Sequence, residues 1–308
     1  HTKGTFGGIG VVVRLNEENF LTVEKVIEGG PSDKVGLKRG DKIVKINDKE
    51  YKAKDYSNVI VMREEMVKSM RGEPGTKVKV TVLRTNGDKK EESIEKEIKR
   101  DNIRVDTVES KVLQDNIGYI SIASFDELTA KDFDKELNKL KKQNIKGLVI
   151  DLRYNPGGIL DICAEIADKL MDKGTIVYTE TKNKDRRYIK SDSKKLGLPL
   201  SIIINEESAS ASEILAAAIQ DSKTGTIVGT KSFGKGIVQT IKPLSDGTGV
   251  KLTVSQYFTP NGRSIHKKGV EPDIEVKLPE DIEKIGPNNI EEDTQLKKAV
   301  EVVKEKIK

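Results

Sequence analysis

The segment Asn205-Glu206-Glu207-Ser208-Ala209-Ser210-Ala211-Ser212-Glu213-Ile214-Leu215 places small residues between two apolar stretches. The stretch before it, Pro199 to Ile204, is short and apolar, which predicts a buried strand. The stretch after it, Ile214 to Ile219, is rich in alanine, which favours a helix. A helix start leaves backbone N–H groups unpaired and carries positive potential, so a nucleophile at this junction would have an oxyanion site in its own backbone.

A serine needs a base before it can act as a nucleophile, and histidine is scarce in this chain. The two histidines are His1, at the extreme end and not expected to contribute, and His266, which we interpret as a surface loop residue. Lys235 is the alternative, because a lysine can act as a base when burial favours its neutral form. Gln239 lies four residues further on. If both residues are on one strand, this even spacing puts them on the same face, where the amide could hold the lysine amine.

Two further motifs accompany the serine segment. Leu152-Arg153-Tyr154-Asn155-Pro156-Gly157-Gly158 lies upstream, and Phe233-Gly234-Lys235-Gly236 with Gln239 lies downstream. Together with Ser208 to Ile214, and in this order, they resemble the C-terminal processing (tail-specific) serine proteases with a PDZ domain, peptidase family S41. The resemblance extends from about residue 5 to residue 276. It has one departure, since Glu207 stands where that family often has glycine.

The resemblance implies a serine endopeptidase with a Ser/Lys dyad and no cofactor. Its nucleophile falls on Ser210, its general base on Lys235 and its lysine-orienting glutamine on Gln239. Its oxyanion donors fall on the backbone N–H groups of Gly158 and Ala211. It also implies protein or peptide substrates with free C-termini and an extracytoplasmic location, in the cell envelope, secreted or membrane-anchored.

The first part of the chain has the pattern of a small β-rich domain. The glycine turn Gly8-Ile9-Gly10-Val11 is followed by Gly40-Asp41-Lys42-Ile43-Val44, a helical pattern from Val59 to Met70 and an alternating strand from Val78 to Leu83. This order resembles a PDZ domain. Exposed N–H groups in the glycine turn would form an anion nest, and the following strand edge could pair with an extended peptide. By itself, the turn is more typical of an ordinary hairpin, and the Gly40-Asp41-Lys42-Ile43-Val44 pattern that follows favours the PDZ interpretation.

Further along, strands and helices alternate, which predicts an α/β domain. The resemblance implies a spiral β-β-α core of the crotonase and Clp type. We therefore predict an α+β PDZ peptide-binding domain at residues 1–101, which the resemblance implies also gates the active site. A Ser/Lys protease core follows at residues 102–277. Residues 278–308 form an amphipathic helical tail, whose narrow apolar stripe packs either on its own core or on a second subunit in a homodimer.

Composition excludes several classes of protein. The 55 basic and 50 acidic residues are interspersed and give a net charge of +5, so nucleic-acid binding is not expected. Cys163 is the single cysteine, which rules out an intrachain disulfide and predicts a core position. No apolar run is long enough for a membrane span. We expect a signal or anchor segment to be missing before the N-terminus, so that any membrane attachment would depend on it.

Acidic residues at predicted helix starts require a separate interpretation. Asp161, Glu165 and Glu213 lack the histidines or paired carboxylates of a metal site, so we interpret them as helix-start charges and expect no metal. The charged segment from Asn86 to Glu97 is interpreted as a solvated hairpin rim.

Two alternatives remain for the function. One is a non-catalytic PDZ adaptor, or scaffold, on a degenerate protease-like core. The other is a PDZ protease that uses His266 as its base, which would also need an acidic partner for that histidine.

Overall fold

The computed structural model describes residues 4–85, 90–192, 196–244, 248–282 and 284–307. These form two compact units, one spanning Thr5–Val105 and the other beginning at Asp106 and containing the rest of the described chain. His1 and residues 86–89 of the charged segment lie outside the described residues. No helix in the described ranges is long and apolar enough to cross a membrane.

The first unit consists of short antiparallel strands and two helices. Its elements are β1 (Thr5–Gly8), β2 (Val11–Leu15), β3 (Leu21–Val26), α1 (Pro31–Lys34), β4 (Lys42–Ile46), β5 (Lys49–Glu50), α2 (Val59–Met70), β6 (Lys77–Thr85), β7 (Glu91–Lys99) and β8 (Asp101–Arg104). The main sheet has the order β2-β3-β4-β6-β7, with β5 added to β4, while β1 pairs separately with β8. β2 therefore lies at an edge, and the pairing of β6 with β7 confirms the hairpin predicted around the charged segment.

The core of this unit forms between α2 and alternate residues of the sheet. Met62, Met66 and Met70 recur every four residues on α2, so they lie along one face of the helix. They join a buried cluster that includes Val80 and Val82 of β6. The helical and strand patterns predicted for these segments are confirmed.

The second unit contains a mostly parallel sheet with helices on both faces. Its strands are β9 (Val108–Val112), β10 (Ile117–Ile122), β11 (Gly147–Asp151), β12 (Gly174–Thr181), β13 (Arg186–Ser191), β14 (Leu200–Ile204), β15 (Thr226–Gly229), β16 (Ile237–Pro243), β17 (Gly249–Phe258) and β18 (Ile274–Glu275). Its helices are α3 (Thr129–Lys142), α4 (Leu160–Leu170), α5 (Ala211–Asp221) and α6 (Thr294–Lys306).

The main sheet of the second unit has the strand order β18-β15-β14-β11-β10-β9. All neighbouring strands are parallel except β9, which is antiparallel to β10. A second, antiparallel sheet has the order β13-β12-β17-β16. The alternation of strands and helices in the sequence therefore corresponds to an α/β domain, as predicted.

Both faces of the parallel sheet are buried, as is usual when crossover helices cover it. Leu148 and Ile202 belong to the cluster that contains α3, α4 and α5, whereas their neighbours Val149 and Ile203 belong to the cluster that contains α6. The C-terminal helix thus packs on the core of its own unit. Cys163 is fully buried in the first cluster, which confirms its predicted core position.

The sheet brings three loops together. β11, β14 and β15 are adjacent and parallel, so their carboxyl ends lie along the same edge of the sheet. The loops that leave these ends are residues 152–158, residues 205–210 and residues 230–236, which we call the glycine loop, the serine turn and the lysine loop. Each contains one of the three sequence motifs.

A buried ion network connects the start of the glycine loop with α6. The side chain of Arg153 is fully buried, and its Nη2 lies 2.6 Å from Asp151 Oδ2 and 2.8 Å from Asp293 Oδ2. Tyr119 donates its hydroxyl to Asp151 Oδ2 at 2.8 Å. Asp293 also accepts the Leu296 N–H at 3.0 Å and so caps α6. Arg153 therefore links the cap of the C-terminal helix to the end of β11.

We predict that Asp293→Asn destabilises the protein by on the order of 2 kcal/mol at pH 7, because it weakens the charge-assisted hydrogen bonds from Arg153 to Asp293, although Arg153 keeps its pairing with Asp151. Burial alone would raise the pKa of Asp293, but its hydrogen bond and attraction to Arg153 outweigh burial and hold the pKa below its ordinary value. The stabilisation is therefore present above about pH 4 and is lost as the pH falls through the folded-state pKa. Urea unfolding at a series of pH values measures the difference from the original protein.

That difference should shrink in acid, because the original protein then loses the same ion pair. Asp281→Asn, at an exposed aspartate, is the matched control and should change little at any pH. A destabilisation by Asp293→Asn that stays constant down to pH 2 would contradict this account.

Candidate active site

Ser210 is the last residue before α5 and has an unusual backbone conformation. Its φ is 56° and its ψ is −112°, in a region that non-glycine residues seldom occupy. Such strain persists only where the surrounding structure enforces it, and it concentrates at functional sites. The sharp strand-to-helix turn leaves Ser210 partly exposed at the edge of the sheet. Glu207 is not among the residues with positive φ, so glycine is not required at that position.

The two neighbouring serines have a different environment. Ser208 is fully buried and donates its hydroxyl to Leu152 O at 2.8 Å. Ser212 is also fully buried and donates to Asn155 O at 2.9 Å. Both therefore fasten the serine turn to the glycine loop. Of the three serines in the motif, Ser210 is the one that solvent can reach.

Two backbone N–H groups beside Ser210 are available to an oxyanion. Within the described ranges, neither the Gly158 N–H nor the Ala211 N–H donates to a protein acceptor. Gly158 forms a β-bridge with Phe125, and the flanking Ile159 N–H donates to Phe125 O at 2.7 Å. The glycine loop is thereby held in an extended path beside the serine turn.

Gly157 has a role that the sequence interpretation did not assign to it. A Cβ atom at this position would lie 2.8 Å from Ser210 Cβ and 2.9 Å from Ala211 N. Its φ of +100° is also one that glycine adopts without strain. The missing side chain therefore keeps the space beside Ser210 and the Ala211 N–H open. The signal in the sequence was the first glycine of the Gly157-Gly158 pair.

The carboxylate of Glu213 joins the serine turn to the lysine loop. Glu213 is fully buried in the first turn of α5. Its Oε2 accepts the Ser210 N–H at 2.7 Å and the Lys235 N–H at 2.9 Å. Its Oε1 accepts the Gly234 N–H at 2.7 Å and the Ser232 hydroxyl at 2.6 Å. Glu213 does begin a helix, as predicted, but its contacts show a positioning function that the prediction missed.

The shared oxygen limits the separation of the two predicted catalytic residues. Because Ser210 N and Lys235 N both bond to Glu213 Oε2, they are no farther apart than 2.7 Å plus 2.9 Å. Lys235 is partly buried, and its ammonium group makes no hydrogen bond with Ser210 in this structure. Catalytic hydrogen bonds are often long without substrate and tighten when it binds. The structure thus brings the two backbones together and leaves the side chains unbonded.

The geometry argument for Gln239 is wrong. Lys235 precedes β16, which begins at Ile237, and the pairing of β16 with β17 shifts register between Val238 and Gln239. Lys235 is therefore not on the strand that carries Gln239, so the alternation of faces along β16 does not relate the two side chains. The register shift leaves its extra residue, Val254, on β17. The Gln239 amide is exposed and lies 3.5 Å from the hydroxyl of Thr253. In this structure it does not hold Lys235.

His266 lies beside the lysine loop rather than in a fully exposed surface loop. It is partly buried, and the neighbouring Lys267 N–H donates to Gly234 O at 2.8 Å. Its Nδ1 is buried without a hydrogen-bond partner among the described residues. A histidine base needs a second group to orient it. The structure gives His266 no such group.

No group of three or more metal-ligating side chains occurs in the part of the chain that the structure describes. Asp161 lies in the first turn of α4 and is exposed, while Glu165 lies 2.9 Å from Lys169 in an ion pair. The Cys163 thiol donates to Ala211 O at 3.0 Å, and burial raises its pKa. A protonated thiol is a poor nucleophile, so Cys163 is a packing residue.

The predicted peptide-binding turn lies in the first unit, between β1 and β2. Ile9 is buried, and its carbonyl accepts both the N–H and the hydroxyl of Ser32, at 2.9 and 2.6 Å. Gly10 has a φ of +77°. Within the described residues, the N–H groups of Ile9 and Gly10 have no acceptor. Gly8 ends β1 and Val11 begins the edge strand β2, so the turn opens beside an unpaired strand edge.

We predict that Glu213→Gln destabilises the protein by on the order of 2 kcal/mol and slows the reaction of Ser210 with a fluorophosphonate. The glutamine amide has only one oxygen, whereas both carboxylate oxygens of Glu213 accept hydrogen bonds. The NH₂ group of the variant must therefore face donors that now bond to one of these oxygens. In the less costly of the two amide orientations, the NH₂ group lies beside Ser232, whose hydroxyl can rotate to accept a hydrogen bond. The hydrogen bond from the Gly234 N–H is then lost. Denaturant unfolding and the labelling rate are the two measurements.

The control is Glu271→Gln, at an exposed glutamate, which should leave both quantities unchanged. If Glu213→Gln labels as fast as the original protein and unfolds at the same denaturant concentration, Glu213 does not position the serine turn.

Each of the two units matches a known family model. Residues 116–276 match the model of "Peptidase family S41", and residues 7–98 match that of a "PDZ domain". A solved structure of a photosystem II D1 C-terminal processing protease is 30% identical, with a TM-score of 0.54, and the match covers 90% of this chain and 75% of that one.

Curated proteins agree with these models. The chain is 38% identical over 280 residues to the carboxy-terminal processing protease CtpA of Bacillus subtilis (strain 168), covering 90% of this chain and 58% of that protein. It is 39% identical over 293 residues to CtpB of the same organism, covering 94% and 58%. The chain thus spans less than two thirds of the length of these relatives. Because the S41 model alone matches more than half of its residues, the chain belongs to peptidase family S41, with a PDZ domain preceding the peptidase domain.

Proposed function

We propose that this protein is a serine endopeptidase that processes protein substrates from their C-terminal side, with Ser210 as nucleophile and Lys235 as general base. The observation that carries the proposal is the strained, partly exposed Ser210, set beside two unpaired N–H groups and held by Glu213 against the lysine loop. Its membership of the S41 family and the names of its relatives as carboxy-terminal processing proteases support the same activity.

The mechanism follows from the placement of these groups. Neutral Lys235 takes the proton of the Ser210 hydroxyl, and Ser210 attacks the peptide carbonyl to form a tetrahedral intermediate. The N–H groups of Gly158 and Ala211 bind the oxyanion. Lys235 returns the proton to the leaving amine, and water then hydrolyses the acyl-enzyme. Gln239 would have to move from Thr253 to orient the lysine, so this part of the dyad depends on a rearrangement when substrate binds.

The PDZ domain supplies the second part of the proposal. Its N–H groups at Gly8-Ile9-Gly10-Val11 would bind the C-terminal carboxylate of a substrate, and β2 would pair with the preceding residues. Binding of a tail would then gate the active site. An extracytoplasmic location and a homodimer complete the proposal, which requires no cofactor and no nucleic acid.

The rival proposal is a PDZ adaptor without catalysis. It predicts that tails bind normally and that Ser210 is inert. The unpaired N–H groups and the strained serine favour the enzyme, because an adaptor gains nothing from keeping them.

We predict that Ser210→Ala and Lys235→Ala each lower the cleavage of an unstructured protein by on the order of 10⁴-fold or more, because residues that act as a unit fail together. Neither change should cost much stability, since the Ser210 hydroxyl and the Lys235 ammonium donate to no protein acceptor among the described residues. Rates of cleavage, together with unfolding curves for each variant, test this.

Ser208→Ala and Ser212→Ala are matched controls, which should lower the stability of the protein but leave its cleavage activity. Each loses a buried hydrogen bond, which costs about 1 kcal/mol, but should retain cleavage. His266→Ala should also remain active. Activity that survives Ser210→Ala would overturn the choice of nucleophile, and activity that survives Lys235→Ala but not His266→Ala would overturn the choice of base.

A second prediction concerns capture of the substrate tail by the PDZ domain. A peptide with a free C-terminal carboxylate should bind more tightly than its C-terminal amide by about 1–3 kcal/mol, the scale of hydrogen bonds to a charged group. Gly10→Val should weaken binding similarly, because a β-branched residue resists a φ of +77° and its Cβ would lie 3.3 Å from Ile103 Cδ1 and Pro31 Cδ. Calorimetry measures both effects.

The chain offers a matched control for the strain. Gly36 has the same φ of +77°, and an added Cβ would have nothing within 4 Å. Gly36→Val therefore introduces the same backbone conflict away from the turn and should leave peptide affinity unchanged. If the peptide acid and the peptide amide bind with equal affinity, this domain does not recognise the C-terminal carboxylate and serves only as a lid or spacer.

A further inference from the structure

Two large aromatic side chains lie exposed on loops of the second unit. Phe233 is 64% exposed and Tyr154 is 54% exposed. Neither ring contacts another aromatic ring or a cation in the part of the chain that the structure describes. The third large aromatic side chain exposed in the described residues, that of Tyr188, differs because its ring centroid lies 5.0 Å from that of Tyr178. Exposed aromatic rings without partners are typical of binding surfaces.

Both residues are bonded to the segment that leads into the nucleophile. The Phe233 N–H donates to Ser208 O at 3.0 Å, and the Tyr154 N–H donates to Asn205 Oδ1 at 2.9 Å. Phe233 is two residues before Lys235, on the lysine loop. Tyr154 is three residues before Gly157, on the glycine loop that packs against Ser210. The two rings therefore belong to the two loops that flank the serine turn.

The backbone of Tyr154 is strained in a way that its side chain does not explain. Its φ is +60°, a conformation that glycine or asparagine adopts more easily than an aromatic residue. The hydrogen bond to Asn205 uses the backbone N–H, which any residue except proline would provide. Nothing in the fold therefore requires an exposed ring at this strained position.

We propose that Tyr154 and Phe233 form an apolar clamp that selects substrates with apolar side chains next to the scissile bond. This specificity rests on the proposed peptidase function of Ser210. The occupant follows from position, since a polypeptide whose carbonyl reaches Ser210 must pass the loops that carry the two rings. Apolar side chains on that polypeptide would cover rings that are otherwise left to water.

The test measures binding in the Ser210→Ala background, so that catalysis is not needed. Two peptides are compared that differ by Leu or the nearly isosteric Asn at the positions on either side of the intended scissile bond. Both carry a C-terminal amide, which suppresses capture by the PDZ domain. The leucine peptide should bind more tightly, and Tyr154→Ser with Phe233→Ser should reduce that preference by roughly tenfold or more, as expected for aromatic anchors.

Tyr188→Ser is the matched control for loss of an exposed ring and should leave the preference unchanged. Tyr154→Gly adds a second measurement, the melting temperature, which should fall if the Tyr154 ring has a structural role. It removes the ring and relieves the φ of +60°, so the melting temperature should stay the same or rise while the leucine preference falls.

The outcomes separate this proposal from the one on which it rests. Equal binding of the two peptides to the parent Ser210→Ala protein, or an unchanged preference in the double variant, overturns the clamp even if the enzyme cleaves proteins. Leucine-selective binding that depends on both rings supports the clamp. Failure of protein with Ser210 intact to cleave the bound leucine peptide would then count against the peptidase function alone.

Discussion

The fully buried carboxylate of Glu213 is the contact on which the arrangement of the active site depends. A buried charge is tolerated only when hydrogen-bond donors surround it, and here the donors come from two separate segments. One segment carries Ser210 and the other carries Lys235. If either segment moved away, a charge would remain in the interior without its donors. The cost of that state keeps the nucleophile and the base in fixed relation, although their side chains share no hydrogen bond.

Arg153 provides a second buried charge, of the opposite sign, on the neighbouring loop. It lies between Asp151, at the end of β11, and Asp293, the cap of α6. The loop that carries Gly158 therefore begins at a point fixed from two directions, the parallel sheet and the C-terminal helix. Adjacent parallel strands bring the loops to one edge. Glu213 then joins the serine turn to the lysine loop, and Arg153 fixes the start of the glycine loop to α6. The positions of the residues in the site thus depend on the buried contacts of Glu213 and Arg153.

Local patterns in the sequence were sufficient for much of this. The strand–serine–helix order predicted the position of Ser210, and the apolar run from Pro199 to Ile204 predicted β14, because burial and helix starts depend on neighbouring residues. The contacts of Glu213 were not predictable in this way. A glutamate in the first helical turn has an ordinary electrostatic explanation, whereas its donors Ser232 and Gly234 lie 19 and 21 residues away. The assumption that Lys235 and Gln239 share a strand was wrong for a related reason, since the start of β16 at Ile237 leaves no clear signal in the sequence.

The three serines of the motif illustrate how one residue type serves two purposes. Ser208 and Ser212 have a carbonyl of the glycine loop within reach, so their hydroxyl protons are used in buried hydrogen bonds. Ser210 lies between them at a φ of +56°, and its hydroxyl donates to no acceptor among the described residues. Only its proton is therefore free to move to a base. The hydrogen bonds of the outer serines hold the turn in this strained conformation, in which the Ser210 hydroxyl has no acceptor in the described ranges, so the reactivity proposed for Ser210 depends on its neighbours.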